Sequence, residues 1–190
     1  MLSNKILSKV FAAAALAACA GMFVLPQVAR AQDPITPASL VLVNPLDLQA
    51  INNVTNTLRL YEMMINEGQP VYATAKYCAP NYIQHNPLIP TGSAALGQFF
   101  AAVEAAHPNA HVVVHEVTAV GNYVFAHVNF FNLTTSDPND TGVAGTDIYR
   151  FDSNGLVAEH WDTLQVVGTP QNAAPWYGPN IPAANNNGMF

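Results

Sequence analysis

HVVVHEVTAVGNYVFAHVNFFNLT (111–134) and GTDIYRFDSNGLVAEHWDTLQVV (145–167) decide the fold. Both are rich in β-branched and aromatic residues, and each splits into two runs at a turn signal. Gly121-Asn122 marks a tight hairpin, Ser136-Asp137-Pro138-Asn139-Asp140 a polar loop, and Ser153-Asn154-Gly155 a third turn. Four consecutive antiparallel strands are therefore expected.

Upstream the period changes. Leu46, Leu48, Ile51, Val54, Leu58, Tyr61, Met64 and Ile65 keep near-helical spacing, with Asn44 as the expected cap, Pro45 in the first turn and Gly68 as the stop. A short helix is expected over about 70–78, and a strand-like piece over 82–86. A third helix carries Leu96, Phe99, Phe100 and Val103 on one face and ends at Pro108. Three helices followed by four strands predict an α+β domain, a curled sheet with helices on one face.

The ends read differently. Residues 1–31 hold Lys5 and Lys9, an apolar stretch from Val10 to Val24, then Pro26 and Ala29-Arg30-Ala31. This is the order of a secretory signal peptide with a small-x-small cleavage site, so the chain is expected to be exported, periplasmic or secreted. Leu16-Ala17-Ala18-Cys19 offers a second reading, a lipoprotein anchored at Cys19, although the residues after Cys19 stay apolar where a tether is usually polar. Residues 32–44 read as an extended leader, 45–168 as the domain, and 169–190, with its prolines and asparagines, as an irregular tail.

Charge narrows the partners. Three of the six basic residues lie before Ala31, so cleavage leaves Arg59, Lys76 and Arg150 against twelve acids, a net charge of −9. Three cations cannot neutralise a row of phosphates, which argues against nucleic acid, and no polybasic cluster offers itself to anionic lipid. After Pro26 no apolar run approaches the roughly 20 residues of a membrane span. Cys78 alone remains after cleavage, so no internal disulfide is expected.

Strand alternation sorts the polar side chains. His160, Asp162 and Leu164 share one face of the last strand, and Asp147, Tyr149 and Phe151 one face of the strand before it. A short turn joins the two strands, so they should pair. If Asp147 and Asp162 fall on the same side, two carboxylates and an imidazole meet, and burial with like-charge proximity would raise a carboxylate pKa as a general acid/base requires. The alternative is that such acids are merely solvated on the open face of the sheet. His107 reads as a helix-end residue, and His111 and His115 are some 13 Å apart on a strand, too far to share a metal. No metal-binding motif, phosphate loop or nucleophile elbow is present, so neither metal nor cofactor is expected.

Tyr82-Ile83-Gln84-His85-Asn86-Pro87, Asp147-Ile148-Tyr149-Arg150-Phe151, the run Gly155 to Asp162 and the ending Ala184 to Phe190 together resemble the SnoaL-like polyketide cyclase group. This group belongs to the nuclear-transport-factor-two-like superfamily. More narrowly, the chain is similar to small members described as aldol-condensation enzymes. The resemblance implies a cone-shaped fold whose bent sheet wraps helices and leaves a pocket at one end. It implies aldol chemistry without metal or cofactor, in which a cavity Asp, here Asp162, takes the proton α to a carbonyl. The partner on the preceding strand, a His in the cyclase, corresponds to Asp147, and the turn at 152–155 is one residue longer than usual. His85 and His160 are the candidates for the missing donor, and Tyr82, Asn86, His127, Tyr149 and Phe151 for ligand contacts.

Three functions follow: a cofactor-free lyase or isomerase acting on a small carbonyl compound, a pocket that binds a small apolar ligand without turnover, and a dimeric accessory protein. Ile148, Arg150 and Trp161, of opposite parity to the acids, are expected to face a helix or a second copy in a homodimer.

Overall fold

The computed structural model describes residues 33–167. The segment read as a signal peptide, Cys19 and the segment read as a tail lie outside that range. The chain runs β1 (Ala38–Leu42), α1 (Leu48–Tyr61), α2 (Pro70–Tyr77), β2 (Cys78–Gln84), α3 (Ser93–Ala106), β3 (His111–Val120), β4 (Tyr123–Phe131), β5 (Val143–Phe151) and β6 (Val157–Val166). All six strands form one sheet in the order β1-β3-β4-β5-β6-β2.

The expected four-stranded meander is its centre, with antiparallel pairs β3–β4, β4–β5 and β5–β6. Two flanking strands extend it. β1, inside the segment read as a leader, pairs parallel with β3, and β2 pairs parallel with β6. Parallel edge strands give no hairpin signal, because their partners lie about 75 residues further along the chain.

α1 begins two to three residues later than expected. Asp47, not Asn44, caps it by accepting the backbone N–H of Ala50 at 3.0 Å, while Asn44 accepts the N–H of Leu46 in a turn of its own. Leu46 and Leu48 consequently fall outside the packed face and are exposed. Beyond Tyr61 the helix widens into a π turn over Glu62–Asn66, where the Glu67 N–H reaches the Glu62 carbonyl. Gly68, at φ +60°, ends it as the sequence suggested. Asn66 ties this turn to the sheet, accepting the N–H of Val112 at 2.8 Å. α2 and α3 pack so closely at Gly97 that a Cβ there would stand 2.5 Å from the Thr74 hydroxyl.

The helices cover one face of the sheet. Alternate residues Val112, Val114, Val124, Ala126, Val128, Tyr149 and Phe151 join Val54, Leu58, Tyr61 and Met64 in the core. The opposite face carries Phe125, His127, Ile148, Arg150 and Trp161, all half-buried.

Candidate functional site

β5 and β6 pair in the register that sets the site: Asp147 lies opposite Asp162, and Tyr149 opposite His160. A bulge at Ala158 shifts the parity once, so Val157 packs into the core on the side that also holds His160. Asp147 (2% exposed) and His160 (7%) are buried beneath the helices, and Asp162 is half-buried beside them. The acids therefore do not sit on an open face.

A cavity of about 140 Å³ opens over these groups. Its walls include Leu60, Met64, Ile65, Leu96, Phe100 and Phe130 from the helices and sheet, and its polar end is formed by Tyr61, Tyr82, Gln84, Asp147, Tyr149, His160 and Asp162. Among the described residues neither lysine nor arginine lines it. An apolar chamber of this size admits a molecule on the scale of benzene.

Each polar side chain is held from a different element. Asp147 Oδ2 accepts the hydroxyl of Tyr61, from α1, at 2.5 Å and that of Tyr149 at 3.2 Å. Burial and the Asp147 charge push both tyrosine pKa values well above 10, so both hydroxyls remain donors. Asp162 accepts the Asn86 amide on both oxygens, at 3.0 and 2.8 Å. His160 Nδ1 lies 3.0 Å from Gln84 Oε1, and its ring stacks on Tyr149.

Two atoms are left over. Asp147 Oδ1 and His160 Nε2 are buried without a hydrogen-bond partner among the described residues and stand 3.8 Å apart. Buried polar atoms are normally paired, and an unpartnered one calls for an explanation, a catalytic role among them. One donor atom each from Asp147, His160 and Asp162 lies within 4.8 Å of the others, the grouping among the described residues that could also hold a cation. Linear motifs could not disclose it, because its members come from two paired strands.

Of the residues singled out from sequence, Asp147, His160, Asp162, Tyr82, Asn86 and Tyr149 converge here. Three others do not. His85 points away from the cavity, where its Nε2 meets Glu159 at 2.8 Å and its ring stacks on Trp161. His127 lies on the outer face near His115. Phe151 is packed in the core and does not line the cavity. The parity of β2 explains the first case: Tyr82, Gln84 and Asn86 turn inward, Ile83 and His85 outward. The same alternation could have found Gln84, which the sequence reading passed over. No local signal points to Tyr61, which reaches Asp147 from 86 residues away.

A bent sheet cradling helices around an acid-floored apolar chamber is the cone of the nuclear-transport-factor-two-like α+β proteins. The SnoaL-like domain model matches residues 58–160, more than half of the chain, and the protein belongs to that family. Solved structures agree in fold. A candidate polyketide cyclase from Bacillus cereus ATCC 10987 superposes with TM-score 0.60 at 18% identity, covering 70% of this chain and 89% of that one. A candidate SnoaL-like polyketide cyclase from Jannaschia sp. CCS1 gives 0.52 at 18%, covering 64% and 91%. An NTF2-like protein of unknown function from Mesorhizobium loti gives 0.52 at 18%, covering 65% and 98%. No curated protein matches the sequence. No helix among the described residues is long and apolar enough to cross a membrane.

Proposed function

We propose that this protein is an exported, cofactor-independent lyase or isomerase that performs aldol-type general acid–base chemistry on a small, largely apolar carbonyl compound. The observation that carries the reading is the unpartnered pair, Asp147 Oδ1 and His160 Nε2, buried 3.8 Å apart beside Asp162 at the polar end of an apolar cavity.

Chemically, the two sets of groups divide the work. Asp162, oriented by Asn86, takes the proton from the carbon α to the carbonyl. The electron pair of that C–H bond forms the C=C bond of the enol, the C=O π pair moves onto oxygen, and that oxygen takes the one proton that the Asp147–His160 pair has first taken up between Oδ1 and Nε2. Asp162 then returns its proton to another carbon of a conjugated enol as the O–H proton goes back to the Asp147–His160 pair, an isomerisation, or the enol carbon attacks a second carbonyl, an aldol closure. Proton transfer of this kind contributes ~10²–10⁴-fold to rate. Apolar walls exclude water and strengthen the electrostatic interactions inside.

Deuterium incorporation α to the carbonyl of cyclohexanone in D₂O, followed by NMR, tests the reading. Wild-type protein should catalyse exchange, and Asp162→Asn should lose it by ~10²-fold or more while still binding the ketone. Absence of exchange in the wild type, with ketone binding intact, would instead support binding without turnover. A homodimer formed through the outer sheet face completes the proposal, because Ile148, Trp161 and Phe125 there are only half-buried.

A further inference from the structure

Gln84 touches three of the site's polar groups. Its Oε1 accepts the backbone N–H of Asn86 at 3.0 Å, and a backbone N–H can only donate. The amide is thereby oriented, and its Nε2 donates to the Tyr82 hydroxyl at 2.9 Å. The same Oε1 lies 3.0 Å from His160 Nδ1. A carbonyl oxygen can only accept, so Nδ1 carries a hydrogen. In the neutral ring Nε2 then holds the lone pair, and it is this atom that stands 3.8 Å from Asp147 Oδ1.

That arrangement opposes what the pair would adopt alone. An imidazole beside a carboxylate is best served by turning an N–H toward it, and an Nε2–H form would donate straight to Asp147 and stay there. We infer that Gln84 is the positioning residue of the site: it holds His160 in the Nδ1–H form, so that two acceptor atoms face each other and Nε2 is the atom that takes up and gives a proton. The role deepens the acid–base reading and rests on it for its kinetic consequence, but the tautomer itself is independent of any activity. A further result of the same orientation is that the Tyr82 hydroxyl, which accepts from Gln84, keeps its own hydrogen to donate elsewhere. Tyr82 lines the cavity.

Long-range ¹H–¹⁵N correlation spectra of the imidazoles decide the matter in the intact protein, at a pH where the His160 ring is neutral. His160 is assigned by the signals lost in His160→Asn, and the other five of the six histidines report whether the fold is kept. Wild type should show a protonated Nδ1 and a pyridine-like Nε2. In Gln84→Leu the pattern should move toward Nε2–H, and Gln84→Glu, which still accepts at that position, should restore the wild-type pattern. A wild-type spectrum with Nε2 protonated and Nδ1 bare, or a Gln84→Leu spectrum identical to wild type, overturns the inference. Should Gln84→Leu not fold, the wild-type and Gln84→Glu spectra still decide it. In the exchange assay Gln84→Leu should lower kcat with KM little changed. If wild type catalyses no exchange, the acid–base reading fails while the tautomer assignment stands.

Discussion

Asp147 is the residue on which the chemistry turns. It is a carboxylate sealed under α1, and burying a charge is costly unless hydrogen bonds replace its water. Tyr61 and Tyr149 supply two such bonds to one oxygen and leave the other without a partner. The phenol of Tyr61 should therefore matter well beyond its packing. Tyr61→Phe should lower unfolding stability by about 1.5–3 kcal/mol, the range for a hydrogen bond to a charged group, read as a shift of the urea midpoint at unchanged m-value. A cost near zero would mean that Asp147 does not depend on that hydroxyl. The meeting of Asp147, His160 and Asp162 was legible from parity and from the short turn between their strands. Tyr61 was not, since a helix residue approaches the sheet by tertiary packing that no local pattern encodes. His85 illustrates the opposite failure: a suggestive residue type in a suggestive motif, at the wrong parity.

Between residue and molecule stand the elements, where ion pairs on the outside fix the edges. Glu159 on β6 accepts from Arg150 of β5 at 2.7 Å and meets His85, next to β2, at 2.8 Å. Those partners, His85 first, hold its pKa below the ordinary 4.5. Asp33, at the start of the described chain, is likewise lowered from 3.8 by Lys76 and Tyr77 of α2. For a carboxylate whose pKa is lower in the folded state, the contribution to stability is present above the unfolded value and lost as pH falls through the folded one. Chemical-denaturation midpoints should therefore fall below about pH 4.5. Glu159→Gln should flatten part of that dependence, and an identical acid profile would contradict the assignment. The helices and central strands were readable because their periods are strong. α1 starts later than expected because Asn44 closes a turn of its own on the Leu46 N–H, and the helix begins only where Asp47 accepts the N–H of Ala50. β1 escaped, and β2 showed only its end as the strand-like piece over 82–86, because a parallel edge strand has its partner far away in sequence and no turn to announce it.

At the scale of the whole molecule the two faces of the sheet have separate tasks. One face, roofed by α1 and α3, holds the cavity and its acids. The other leaves Ile148 and Trp161 half-buried, with Glu159 and His85 near them. If copies associate through that face, Trp161→Glu should convert dimer to monomer in size-exclusion chromatography with light scattering, while circular dichroism stays that of the wild type. A wild-type protein that is monomeric at high concentration would remove the dimer from the account. The fold class was evident from the order of helices and strands, and the resemblance placed it correctly. The chamber's dimensions were not, because its volume depends on how far α3 stands from β4 and β5.

The most direct test is the structure of the protein with phenol bound, since phenol is flat, of the size of the chamber, and copies the geometry of an enol. Its oxygen should lie within hydrogen-bonding distance of His160 Nε2 or the Tyr82 hydroxyl, with the ring carbon next to the bound oxygen turned to Asp162. Phenol held with its oxygen at the mouth and its ring against Leu96 and Phe100, leaving Asp147 and His160 untouched, would contradict the assignment of these groups to catalysis.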